Sequence, residues 1–168
     1  MWGWLVRAQG LEAVDGHSLR KVLVVGSNGG HLAQLMMLRP WWGQQNRVFV
    51  TFEGDDSAEL LSGERVYWAY SPTTRNLFNL ARNTWLSVRV LRRERPDVIV
   101  SNGAGVAVPF FYIGWLMRIP TVFIEVFDRV ASASLTGRLC RPATSLLLLQ
   151  WDEQRMVYGR GEVVGPLY

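Results

Sequence analysis

Short apolar runs rich in β-branched residues recur along the chain, and each stops abruptly at small or polar residues. The first is Lys21-Val22-Leu23-Val24-Val25, which stops at Gly26. Runs of this length without alternation predict strands buried on both faces. Six more follow: Arg47–Phe52, Val66–Tyr70, Val98–Val100, Thr121–Glu125, Ser145–Leu149 and Glu162–Val164. The intervening segments predict helices. His31–Leu38 is ended by Pro40, and a short helix follows Glu53-Gly54-Asp55-Asp56-Ser57. A long helix over about 75–95 is capped by Ser71-Pro72-Thr73-Thr74 and ended by Arg95-Pro96. Three further helices are expected over 106–117, Ser132–Leu139 and Trp151–Tyr158. Strand and helix alternate from end to end, which predicts an α/β, Rossmann-like, mostly parallel sheet with helices on both faces. Residues 21–168 make one such domain. Residues 1–20 lack pattern and are an N-terminal extension, read equally as an interfacial helix or as an arm.

Ligands in such folds sit beyond the carboxyl ends of the strands, where the strand order reverses. Three loops should meet there: Gly26-Ser27-Asn28-Gly29-Gly30-His31, Ser101-Asn102-Gly103-Ala104-Gly105, and the stretch Phe123-Ile124-Glu125-Val126-Phe127-Asp128-Arg129-Val130. His31 and Glu125 are the good proton-transfer candidates among them. The glycine loop lacks the third glycine of the dinucleotide fingerprint, and no Gly-Lys-Ser/Thr follows it, which disfavours a nucleotide-dependent oxidoreductase and a P-loop. Backbone N–H groups of Asn28, Gly29 and Gly30 at a helix start suit a phosphate. Arg129 stands four residues after Glu125 and is placed either to pair with it or to meet an anion. Asp55 and Asp56 fit an acidic helix start rather than a metal site.

Composition narrows the picture. The 168 residues suit one core of ordinary size, and the 49% hydrophobic content excludes disorder. The single cysteine, Cys140, allows no internal disulfide or zinc cluster and reads as a small core residue. Net charge is +4, yet residues 75–95 hold six arginines and one glutamate, so the rest of the chain carries 4 − 5 = −1. On a helical wheel Arg75, Arg82, Arg89 and Arg93 form one stripe, with Leu86 and Val90 projecting inside it. Leu77, Leu80, Ala81, Trp85, Val88 and Leu91 form the expected core side. The stripe reads as a helix on an anionic membrane surface or as a solvated face. Nucleic acid is disfavoured, because no aromatic stacking platform accompanies the arginines. Eight tryptophans, several beside other apolar residues, favour interfaces. The longest nearly uncharged stretch, around 104–117, is interrupted by Pro109 and short of the about 20 residues a span needs. Met1 to Val6 is apolar and then meets Arg7, so neither a signal peptide nor an anchor is expected.

Four stretches in order carry a family resemblance. They are Gly26–Leu32, Arg95–Pro109, Ile124–Arg129 with Leu135-Thr136-Gly137-Arg138-Leu139, and Gln150-Trp151. They resemble the PssD-like polysaccharide glycosyltransferase subunits of bacteria and the membrane-recruiting subunit of the split dolichol-pathway N-acetylglucosaminyltransferase. More distantly they are similar to the N-terminal half of MurG. The resemblance covers residues 21–168. It implies the N-terminal, acceptor-side half of a GT-B glycosyltransferase split over two chains, with a PssE-like partner supplying the C-terminal half. It implies inverting transfer from a UDP-sugar to a lipid-diphosphate-linked sugar in capsule or exopolysaccharide synthesis, with no metal and no cofactor beyond the donor. The expected location is peripheral, on the cytoplasmic face of the plasma membrane. Such a transfer needs a base for the acceptor hydroxyl. His31 suits it, and Glu125 is the alternative, or an acceptor for sugar hydroxyls. Asn102 and Gly103 would line the acceptor cleft, and Arg129 would contact acceptor phosphate. The competing reading is a non-catalytic module that recruits and activates a partner glycosyltransferase at the membrane.

Overall fold

The computed structural model describes residues 21–167, so the expected interfacial segment 1–20 lies outside the described residues. Seven strands form one sheet with every pairing parallel: β1 (Lys21–Val25), β2 (Asn46–Phe52), β3 (Val66–Ala69), β4 (Val98–Ser101), β5 (Thr121–Ile124), β6 (Leu146–Leu149) and β7 (Glu162–Val163). Their order is β3-β2-β1-β4-β5-β6-β7. The chain walks outward from β1 to β3 and then returns to the other side of β1 with β4. That reversal is the switch point where ligands enter parallel sheets.

Among the described residues seven α-helices accompany the strands: α1 (Gly30–Met37), α2 (Arg39–Trp42), α3 (Asp55–Leu60), α4 (Leu77–Glu94), α5 (Ala107–Leu116), α6 (Leu135–Cys140) and α7 (Asp152–Tyr158). Alternate strand residues feed two cores, as the two-residue period of a strand requires. Val22, Val24, Phe49 and Val100 pack with Leu32, Leu35 and Trp42 of α1 and α2. Leu23, Val25, Val50, Ile99 and Phe123 pack with Val90 of α4 and Phe110 and Phe111 of α5. Cys140 sits in this second core, where burial pushes its thiol up to about 12. Pro40 ends nothing by itself: it stands in the first turn of α2, where its missing N–H costs no hydrogen bond.

The expected orientation of the long helix is corrected. Leu86 and Val90, placed by periodicity within the arginine stripe, are buried, whereas Leu77 and Trp85, assigned to the core, are about 80% and 71% exposed. The reason is polar. Asn83 faces inward and uses its whole amide on the backbone of Tyr70, accepting from the N–H and donating to the carbonyl, both at 2.9 Å. Asn79 beside it donates to Pro72 O at 3.0 Å. Two buried asparagines that satisfy the preceding loop thus set the rotation of α4. The helix also starts later than expected, at an N-cap made by Asn76, whose side chain accepts from Asn79 N. The outward face combines Leu77, Phe78 and Trp85 with Arg82, Arg89, Arg92 and Arg93. Arg82 stacks on Tyr70 at 3.6 Å. On neighbouring α5, Trp115 and Leu116 are exposed as well. No helix of the described residues is long and apolar enough to cross a membrane.

At the amino ends of the strands Glu94 is enclosed by Lys21, Arg65 and Tyr67, with contacts of 3.2, 3.1 and 2.5 Å. Burial pushes the carboxyl up, but the Tyr67, Lys21 and Arg65 hydrogen bonds outweigh it and hold it below the usual carboxylate range.

Candidate functional site

The three expected loops meet at the carboxyl edge of the sheet. Gly26 leaves β1 with its N–H on Val50 O at 3.0 Å. Gly29 turns the chain with φ +66° and α1 begins, with His31 its second residue. Across the switch point, Gly103 follows β4 with φ +119°, a conformation that glycine alone adopts readily. A Cβ there would lie 3.3 Å from His31 Cε1, so the imidazole rests directly on this glycine. His31 Nδ1 is enclosed and has no hydrogen-bond partner, which leaves Nε2 as the nitrogen a ligand meets.

A cleft of about 480 Å³ opens beside it. His31, Ser27, Gly103, Arg129, Asp128 and Thr73 contribute to its wall. His31, Gly103 and Arg129 are therefore brought together as expected. Asn102 lies beneath rather than in the wall. Its side chain is buried and its Nδ2 donates to His31 O at 2.8 Å and Gln34 Oε1 at 3.3 Å, tying the first turn of α1 to β4. Asn28 is half-buried in the glycine loop. Gly29 N–H donates to Asp56 Oδ2 at 3.2 Å, so a side-chain anion already occupies one of the three backbone donors. Gly30 lines a smaller depression with His31 and Asp128.

Glu125 is the residue whose surroundings differ most from expectation. It is 0% exposed and stands behind the cleft. Its carboxyl accepts from Val126 N at 2.9 Å, from Ser134 N at 3.1 Å and from Ser134 Oγ at 3.2 Å, and it also accepts from the Tyr158 hydroxyl. It does not pair with Arg129. Burial, followed by the Glu125 hydrogen bond, pushes the Tyr158 hydroxyl well above the ordinary tyrosine range, so it stays protonated and donates. A carboxyl saturated with donors and sealed from solvent organises the loop from Val126 to Ser134. Its oxygens are not part of the cleft wall.

Residue-by-residue reading of the sequence left Asp128 without a role, although it shares two depressions with His31. It also assigned nothing to Ser134, Gln150, Gln154 or Tyr158. Only Gln150-Trp151, as part of the resemblance, pointed that way. A second groove of about 440 Å³, apolar and lined by Ala33, Met37, Phe127 and Leu167, runs along the outer side of α1. The cleft itself offers an imidazole, a guanidinium, a carboxylate and hydroxyl groups around a glycine-lined floor. That set suits a hydroxylated, anionic ligand and a proton transfer at His31 Nε2.

Residues 65–167 match the family described as "Oligosaccharide biosynthesis protein Alg14 like". The chain belongs to this family. Relatives named as UDP-N-acetylglucosamine transferase subunits include that of Yarrowia lipolytica, 26% identical over 90% of this chain and 82% of its own length. That of Schizosaccharomyces pombe is 36% identical over 42% of this chain and 36% of its own. A Geobacillus kaustophilus N-acetylglucosamine transferase, named for a pyrophosphoryl-undecaprenol acceptor, is 25% identical over 52% of this chain and 24% of its own. The fold superposes on Acinetobacter baumannii MurG with a TM-score of 0.71 at 16% identity, covering 86% of this Alg14-like chain and 45% of that one. The Alg14-like chain thus has the Rossmann-like sheet found within such GT-B structures.

Proposed function

We propose that this Alg14-like chain is the acceptor-side, membrane-associated subunit of a two-chain inverting glycosyltransferase. It acts with a PssE-like chain that holds the donor, and moves a sugar from a UDP-sugar to a lipid-diphosphate-linked sugar in capsule or exopolysaccharide synthesis. The observation that carries the reading is the shared cleft of His31, with Nε2 open, and Arg129 at the switch point of the sheet. The names of the relatives favour UDP-N-acetylglucosamine among donors and a lipid pyrophosphate as acceptor. The apolar groove along α1 supports a seat for the second chain.

In this reading the acceptor hydroxyl attacks the anomeric carbon as His31 Nε2 takes its proton. The bond from that carbon to the UDP oxygen breaks, and UDP leaves with the electron pair. Arg129 and the free N–H groups of the glycine loop hold the acceptor diphosphate, Gly103 lines its cleft, and Asn102 and Glu125 position the groups around it. The exposed Phe78, Trp85 and arginine face of α4 supports peripheral attachment to an anionic bilayer on its cytoplasmic side. The same face also favours the second reading, a recruiting module whose partner does all the chemistry.

The test is transfer from radiolabelled UDP-sugars to lipid-diphosphate-sugar, by this chain alone and with the co-expressed partner. Transfer only with both is expected. His31→Ala should then lower it by about 10²–10⁴-fold with the complex still assembled. Transfer by this chain alone would refute the half-enzyme reading. Unchanged turnover in His31→Ala would leave the recruiting module.

A further inference from the structure

The loop that carries Asp128 and Arg129 has no helix or strand of its own from Glu125 to Ser134, yet four of its carbonyls are bound from one side. Gln150 Nε2 donates to Glu125 O at 2.8 Å. Gln154 Nε2 donates to Val126 O at 3.0 Å and to Arg129 O at 3.1 Å. Trp151 Nε1 donates to Phe127 O at 2.7 Å. Gln150 and Trp151 come from the turn between β6 and α7, and Gln154 from the first turn of α7. Both glutamines are buried, at 1% and 0% exposure.

Gln154 works in two directions. Its Oε1 accepts from Gln150 N at 2.7 Å and Trp151 N at 3.3 Å, which satisfies the start of α7. An oxygen alone would do that, as the carboxylate of a capping-box glutamate does. The amide nitrogen adds two donors, and both are spent on the carbonyls that flank Phe127 and Asp128. Gln150 likewise uses its nitrogen on the loop, while its Oε1 accepts from Leu167 N at 3.0 Å. Buried amides of this kind hold one geometry, because any other arrangement leaves polar groups unpaired.

We infer that Gln154, with Gln150, is a positioning residue that fixes the backbone of the Arg129 loop in the shape that receives the acceptor. The inference rests on the acceptor-site reading above. Gln154→Glu separates the two jobs. It keeps the oxygen that starts α7 but offers the loop carbonyls at most one proton in place of two. Gln154→Leu removes both functions.

The experiment compares wild type and Gln154→Glu, in the two-chain complex, by acceptor and donor KM and by amide hydrogen exchange of residues 126–134. Exchange in this loop should rise about tenfold while α7 amides are unchanged, and acceptor KM should rise about tenfold with donor KM within twofold. Gln154→Leu should also loosen α7. Unchanged loop exchange in Gln154→Glu would overturn the inference, as would faster exchange with unaltered acceptor KM. An inactive wild-type complex would instead count against the transferase reading, and the exchange data would still decide whether the amide holds the loop.

Discussion

Replacing Glu125 by alanine separates a base from a buried organiser. In the structure the substitution removes the common acceptor for Val126 N–H, Ser134 N–H, Ser134 O–H and Tyr158 O–H. Tyr158 is almost fully buried and would lose its carboxylate acceptor, at about 1–3 kcal/mol. Val126 and Ser134 are half-buried and recover part of their loss from water, at about 1 kcal/mol each. The total is about 3–5 kcal/mol, a large share of the about 5–15 kcal/mol that holds a domain together. For a chain of this size that lowers the melting temperature by roughly 10 °C. Glu125→Gln keeps one acceptor oxygen and should cost about 1–2 kcal/mol. The assay is urea unfolding followed by tryptophan fluorescence, with transfer by the two-chain complex measured in parallel. Stability within about 0.5 kcal/mol of wild type in Glu125→Ala, together with a loss of transfer of about 10³-fold, would refute the reasoning. That result would mean that the carboxyl meets substrate.

Three further outcomes follow from other parts of the molecule. Gly103→Ala forces a side chain into φ +119° and brings its Cβ to 3.3 Å from His31 Cε1. It should cost about 1–3 kcal/mol in denaturant midpoint and lower kcat about tenfold or more through displacement of the imidazole. Glu94, whose carboxyl is held below its ordinary value, stabilises the fold above the ordinary glutamate range and loses that contribution as pH falls through its folded value. Glu94→Gln should therefore be less stable than wild type at neutral pH, and the gap should narrow on acidification in a pH series of urea titrations. Trp85→Ser combined with Phe78→Ser should weaken co-sedimentation with phosphatidylserine vesicles about tenfold, and raised salt should weaken wild-type binding because arginines share that face.

Much of the fold was legible from the chain because it depends on local pattern. Most of the strands are short β-branched or leucine runs closed by loop-forming residues, and their alternation with helices leaves a parallel sheet as the natural solution. His31, Gly103 and Arg129 followed from the rule that parallel sheets gather their loops at one edge. The rotation of α4 was not legible. Hydrophobic periodicity treats asparagine as solvent-seeking, and only the folded loop supplies the backbone groups that bring Asn79 and Asn83 inside. The role of Glu125 was hidden for the same reason. Its strand-end position suited a base or a sugar-binding group, but Tyr158, 33 residues away, fills the space around it. Gln154 reaches Val126 across 28 residues. The sequence by itself determined the elements, their order and the sheet edge where chemistry belongs, since these rest on near neighbours and chain direction. The tertiary structure alone decided which polar groups face the cleft and which are used up behind it, because a buried donor or acceptor takes its meaning from the partner that folding brings to it.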